Sequence, residues 1–327
     1  MKTRVIISKH HSFSFCILDC YMVKLQRSDK NPILSPSNLP WENMLVFNPG
    51  AIMIKDKVYL IYRARAKDSI YSRLGLAVST DGINFERFNE PMYYGKNHVD
   101  ESLGIEDPRV VMIDDTVYLT YTAVSEDLDA EVNPNWKEKI AKKPRIALST
   151  TKDFKEFVDY DIIIPGLSGK NSSLFPKIIN GEHWLLYRAG AGKTYFAKSS
   201  NLTSWRNASP VFEERPGMWD SVRTGIGAPP IETSKGWLLF YHGVDEKNTY
   251  RLGIMLLDLH NPLKILYRSP EPIFEPETDY EKFGYINNVV FTCGAVEKDG
   301  KYFVYYGAAD EVIGVATVEK ELVLGLF

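Results

Sequence analysis

Five stretches of this chain repeat one pattern. Residues 50–63 read GAIMIKDKVYLIYR, 107–121 DPRVVMIDDTVYLTY, 175–188 FPKIINGEHWLLYR, 228–242 APPIETSKGWLLFYH and 293–307 CGAVEKDGKYFVYYG. Each is a short apolar strand, a turn built on Asp, Asn, Lys or Gly, and an alternating aromatic strand, which is the signal of a β-hairpin. The turns fall near Asp56, Asp115, Gly181, Lys235 and Gly300. A second hairpin follows each of the first four copies: LGLAVSTDGINFERF (74–88), RIALSTTKDFKEFVDY (145–160), YFAKSSNLTSWRN (195–207) and LGIMLLDLHNPLKILYR (252–268). The fifth copy runs on into IGVATVEKELVLGLF. A single unit of this kind cannot bury its own apolar faces, so the units must stack. Five four-stranded units describe an all-β, five-bladed β-propeller. Two β-sandwich domains would explain the strands but not the five-fold recurrence.

KNPILSP near residue 31 resembles EPIFEP near residue 271, so the N-terminal segment is expected to add the outer strand of the last blade and close the ring. Residues 1–21 carry no copy of the pattern and are read as an extension, with 22–327 as a single propeller domain. Helical periodicity is confined to the insert EVNPNWKEKIAKK (131–143). The extension has basic residues and a short apolar patch, but two histidines interrupt it and no small-residue cleavage site follows, so a signal peptide is disfavoured. Three cysteines (Cys16, Cys20, Cys293) make an odd count without a framework spacing, which points to a reducing compartment, a cytoplasmic location and no structural disulfide. The net charge of −3 has no long run of one sign, which argues against nucleic acid or an anionic membrane as the main partner. A homo-oligomer stays open.

In a propeller the innermost strand of each blade lines the central channel, and here it is the strand before each turn. Polar residues at its start, or on its partner strand, should converge on one funnel. They are Asn48, Asp107, Arg109, Lys170, Asn171, Arg188, His242 and Asp310, drawn from all five blades. In GIEDPR (104–109), Pro108 pushes Asp107 toward an extended conformation, and an extended segment would turn Glu106 to the opposite face. Asp107 is therefore the expected acid. The plainer alternatives are a strand-start acid paired with Arg109, a salt-bridged Arg188 and a satisfied buried His242. Together, though, Lys170, Asn171, Arg188 and His242 make a donor-rich set suited to a tetrahedral anion such as phosphate. No metal-ligand spacing joins the Asp and His positions.

The ordered series NPGAI, YRARAKDS, EDPRVV, NSSLFPKI, LLYRAG, GAPPI, YHGV, YRLGIMLLDL, NVVFTCGA and YYGAAD resembles glycoside hydrolase family 130, from about Met22 to the end. That family holds inverting β-mannoside phosphorylases and related β-mannosidases on a five-bladed propeller. The resemblance implies that Asp107 is the general acid and that Asn48, Arg63 and Asp310 hold the mannosyl unit. It implies that Lys170, Asn171, Arg188 and His242 bind phosphate, a co-substrate that replaces any cofactor or metal. Two positions depart from some members. Lys170 stands where they carry arginine, giving a point-charge contact, and Pro49 stands where they have a serine that touches the sugar. An inverting hydrolase needs an acid and a base with water, whereas phosphate is already a nucleophile and needs only cations to hold it. One acid plus Lys170, Arg188 and His242 favours phosphorolysis of a β-mannoside oligosaccharide, releasing α-mannose 1-phosphate. The acid in related phosphorylases is thought to act through a sugar hydroxyl. A β-mannosidase of the same fold and a non-catalytic glycan-binding propeller are the alternatives. NPGAI, GAPPI and YHGV look closest to members acting on β-1,2-linked mannobiose or oligomannan. Rim loops 89–104 and 126–144 are expected to choose the acceptor.

Overall fold

The computed structural model describes residues 23–94, 99–132, 139–190 and 192–327. Five antiparallel sheets follow one another around a ring, each a meander running from the channel outward. Their inner strands are Leu45–Ile54, Ile105–Ile113, Gly169–Leu174, the pair Arg223–Ile226 and Ile231–Thr233, and Val290–Lys298. The hairpins read from the sequence are the first two strands of each blade. Their tight turns place Asp56, Asp114, Asn180 and Asp299 at positive φ, as right-twisted hairpins demand. At the turn between the third and fourth strands a second motif recurs. Ser79, Thr151 and Ser199 hydroxyls accept from backbone N–H groups two and three residues on, and Asp81, Asp153 and Asn201 do the same at their own offsets.

The packing has the same five-fold order. Five apolar clusters lie between consecutive blades, for example Ile52, Ile61, Val110 and Leu119 between blades 1 and 2, and Phe175, Trp184, Trp237 and Tyr241 between blades 3 and 4. The others join blades 2 and 3, 4 and 5, and 5 and 1. Each blade thus buries both faces, and at about 25 cal/mol per Å² this is the main force holding the ring.

Closure comes from the N-terminal segment, as the sequence indicates. Gln26–Arg27 pairs antiparallel with the strand Val312–Glu319, and Leu34 bridges to Ile313. Arg27 fastens this strand to the segment that joins blades 4 and 5. Its Nε and Nη2 donate to Glu281 at 2.8 and 2.9 Å, its Nη1 to Glu277 at 2.8 Å, and its guanidinium lies over Phe274.

The extension 1–21, with Cys16 and Cys20, lies outside the described residues, as do 133–138 of the insert expected to be helical. Its end is not helical: the strand Lys142–Thr151 begins there, because Lys142 and Lys143 pair with Glu126 and Ser125. Cys293 is a buried free thiol. No helix among the described residues is long and apolar enough to cross a membrane.

Candidate active site

Four inner strands break register at the channel mouth. The breaks fall between Phe47 and Gly50, Glu106 and Arg109, Lys170 and Ser173, and Thr292 and Gly294. At the first three, Asn48, Asp107 and Asn171 take positive φ of 47°, 54° and 57°. Asn and Asp tolerate this left-handed region better than other non-glycine residues, and a bulge re-aims the side chain it carries. The break also lets blades approach closely: a Cβ on Gly50 would lie 2.6 Å from the Pro108 carbonyl oxygen.

The bulge overturns two expectations. Asp107 is not extended despite Pro108, and Glu106 does not face away. Arg63 reaches both acids, donating from Nη2 to Glu106 Oε1 at 2.5 Å and from Nη1 to Asp107 Oδ1 at 3.4 Å, while its Nε donates to Ser72. Lys142 donates to the same Glu106 oxygen at 3.2 Å. Asn48 Nδ2 donates to Asp107 Oδ1 at 2.9 Å. Burial alone would raise the Glu106 carboxyl, but Arg63, Lys142 and Lys170 outweigh it and hold the group down to about 2. Asp310 goes the other way: burial, with Asp107 and Glu106 nearby, pushes it up to about 7 against the pull of Arg63 and Lys170.

A third expectation also fails. Arg109 does not reach the mouth; its guanidinium donates to the Gly227, Ile226 and Asp107 carbonyls and ties the second inner strand to the fourth.

Opposite the acids lies a cationic end. Arg188 donates through Nε and Nη2 to Asn171 Oδ1 at 3.2 and 3.0 Å, and Arg223 Nη1 donates to the Tyr250 hydroxyl at 3.1 Å. Among the described residues neither guanidinium, nor Lys170, forms an ion pair with a carboxylate. Burial, then the charge of Arg223, lowers Arg188 to about 10. Burial also lowers Lys170, with Glu106 pulling the other way. His242 is fully buried, and burial with the charges of Arg188, Arg109 and Arg223 pushes it well below its usual value. It is therefore a neutral imidazole at pH 7 and not one of the cations. Gly225 leaves room for the ring, since a Cβ there would lie 2.5 Å from it, and His242 Nδ1 has no partner among the described residues.

Asn48, Asp107, Lys170, Asn171, Arg188, His242 and Asp310, seven of the eight positions read from the repeats, line one cavity of about 200 Å³ together with Arg63, which the family resemblance added. Arg223 and Tyr250 line it too and were not foreseen. Their signal was position: Arg223 opens the fourth inner strand, where other blades present polar groups. A second cavity of about 500 Å³ adjoins it, shares Arg63, Lys170, Ile286 and Asp310, and adds Phe47, Arg65, Glu106, Lys142 and Tyr285. Arg65 lies over the Tyr285 ring at 4.7 Å.

The family model of glycoside hydrolase family 130, described as beta-1,4-mannooligosaccharide phosphorylase, matches residues 24–327. This chain belongs to glycoside hydrolase family 130. Within the family it is 42% identical over 308 residues to a 1,2-beta-oligomannan phosphorylase of Thermoanaerobacter sp., covering 92% of this chain and 99% of that one. It is 40% identical to a beta-1,2-mannobiose phosphorylase of the same organism, with the same coverage. The solved beta-1,2-mannobiose phosphorylase of Listeria innocua, in complex with beta-1,2-mannobiose, superposes with a TM-score of 0.79 at 29% identity, covering 92% of this chain and 98% of that one. The family description names a β-1,4 linkage, whereas these relatives are named for β-1,2. At 42% and 40% identity the relatives are the more specific guide for this family 130 member.

Proposed function

We propose that this chain is an inverting phosphorylase of β-1,2-linked mannobiose or oligomannan. The observation that carries the reading is the cavity itself, which Asp107, aimed by Asn48, shares with three cations, Arg188, Arg223 and Lys170, that form no ion pair with a carboxylate among the described residues. Arg188, Arg223 and Lys170 would hold phosphate, with Asn171 orienting Arg188 and neutral His242 and Tyr250 adding hydrogen bonds. A phosphate oxygen attacks the anomeric carbon as the glycosidic C–O bond breaks. The leaving oxygen takes a proton that originates on Asp107, directly or through a sugar hydroxyl, and α-mannose 1-phosphate departs. Asn48, Arg63 and Asp310 would hold the mannosyl unit. All three line the same cavity as the acid, and their donors and acceptor suit a polyhydroxylated ring. Phosphate is a co-substrate, and the reaction calls on no metal or organic cofactor. The reading includes a cytoplasmic location, consistent with the buried free thiol of Cys293, and leaves assembly into homo-oligomers open.

A hydrolase reading draws on one observation: His242, a neutral imidazole, lines the cavity and could accept a proton from a water held there. Incubation with β-1,2- and β-1,4-mannobiose, with and without phosphate, separates the two. Phosphate-dependent mannose 1-phosphate from the β-1,2 substrate supports the phosphorylase. Free mannose at a rate indifferent to phosphate supports the hydrolase, and no turnover of any mannoside leaves a glycan-binding propeller.

A further inference from the structure

Glu106 has no part in the reaction just described, yet it is 5% exposed and sits between two cations on the wall of the outer cavity. Its Oε1 takes Arg63 Nη2 at 2.5 Å and Lys142 Nζ at 3.2 Å. The other arm of the same guanidinium, Nη1, stands 3.4 Å from Asp107 Oδ1, a longer and weaker contact. Arg63 is thus shared unequally between two adjacent acids, with Ser72 fixing its Nε. A guanidinium drawn fully onto Asp107 would favour the ionised carboxylate and hinder its service as a proton donor.

We propose that Glu106 is a positioning residue: it draws Arg63 away from Asp107, so that Arg63 can hold the sugar without locking the acid in its charged form. The proposal rests on the phosphorylase reading. Other charged or titratable groups near the two acids are Arg109 and Lys142 from blade 2, Lys170 and Arg188 from blade 3, Tyr250 from blade 4, and Cys293 and Asp310 from blade 5. Glu106 and Lys142 do not line the inner cavity where phosphate is placed. Lys170, which lines both cavities, feels the charge of Glu106, so the mannoside step is read at saturating phosphate.

The alkaline limb of kcat/KM for the mannoside reports loss of the protonated acid, and it is read in an Asp310→Asn background, because Asp310, held up to about 7 partly by Glu106, would titrate in the same range. Glu106→Gln removes the charge that holds Arg63, and Glu106→Asp keeps the charge but shortens its reach by one methylene. If contact with Arg63 is what matters, both release the guanidinium toward Asp107. The limb should then move to lower pH by about one unit in both variants, with kcat at pH 7 and saturating phosphate down about tenfold. A through-space charge effect alone would move the Gln variant and leave the Asp variant at the wild-type limb, and that overturns the proposal. So does a drop in activity with unmoved limbs, the mark of a merely structural anion. Lys142→Gln, at a partly exposed side chain, covers the case in which neither variant folds. Glu106, with one cation fewer, then draws harder on Arg63, so the limb should rise, and an unmoved limb overturns the proposal. Wild-type turnover without phosphate dependence would instead sink the phosphorylase reading, and this proposal with it.

Discussion

Asn48 and Asp107 occupy the same place in consecutive blades, and the Asn48 amide donates to Asp107 Oδ1 across 2.9 Å. Both sit at a register break, both precede a proline, and both hold positive φ, at 47° and 54°. Blade 1 therefore aims the carboxylate of blade 2. The acid's direction is a property of the ring as a whole, set where two repeats meet.

That geometry makes asparagine the informative replacement at position 107. It tolerates the left-handed backbone and keeps the shape, but cannot supply the proton. Asp107→Asn should melt near wild type and lose about 10²–10⁴-fold in kcat, the contribution of one general acid. Near-wild-type turnover across the pH range would reduce Asp107 to a turn residue.

Much of this was legible because the repeat is regular. Strand count, ring closure and seven of the cavity residues follow from locating one position in each copy, whereas Arg63 came only with the family resemblance. The misreadings share a cause: side-chain alternation presumes an unbroken strand, and Glu106 was assigned to the wrong face because the strand bulges at Asp107. The clue was present, since Asn48, Asp107 and Asn171 are residues suited to positive φ at matching positions. Arg109 could not be told from Asp107 by spacing, because its guanidinium crosses to carbonyls 117 and 118 residues away. Nor could the sequence reveal that His242 is neutral, which depends first on burial and then on three arginines assembled by different blades.

The cationic end should divide by charge. Arg188→Ala and Arg223→Ala each remove a charged donor, a loss of roughly 1.5–3 kcal/mol or about 10–100-fold in KM for phosphate, with KM for the mannoside little changed. His242→Ala removes a neutral hydrogen bond and should cost about tenfold or less. Equal losses against both substrates would point to a collapsed funnel.

Ring closure should depend on Arg27 and not on the extension. A chain beginning at Met22 keeps Leu25 in the core and Arg27 on Glu281, and should fold and turn over as the full chain does. Arg27→Ala removes the counter-charge of Glu281, whose side chain is wholly buried and keeps only the Tyr306 hydroxyl and the Glu277 and Thr278 N–H groups, at a cost of about 3 kcal/mol. Its melting temperature should fall by several degrees. If the truncated chain instead loses solubility or changes mass in light scattering, residues 1–21 cover a surface of the protein.

Asp310 offers a test by pH. Its carboxyl moves from an ordinary 3.8 to about 7 in the fold, with burial the largest cause. A raised carboxyl means that between about pH 4 and 7 the folded state holds a proton that the unfolded state has lost. Stability therefore falls as pH rises through that window, and the full penalty applies above it. Asp310→Asn cannot ionise, and asparagine accepts the φ of 55° at this position. The variant should match wild type in melting temperature at pH 4 and exceed it by a few degrees at pH 8. Its turnover should drop at both, since the sugar contact proposed for Asp310 is altered. A difference in melting temperature that stays constant from pH 4 to pH 8 would mean that Asp310 is ionised throughout, and that the acids around Arg63 do not crowd it.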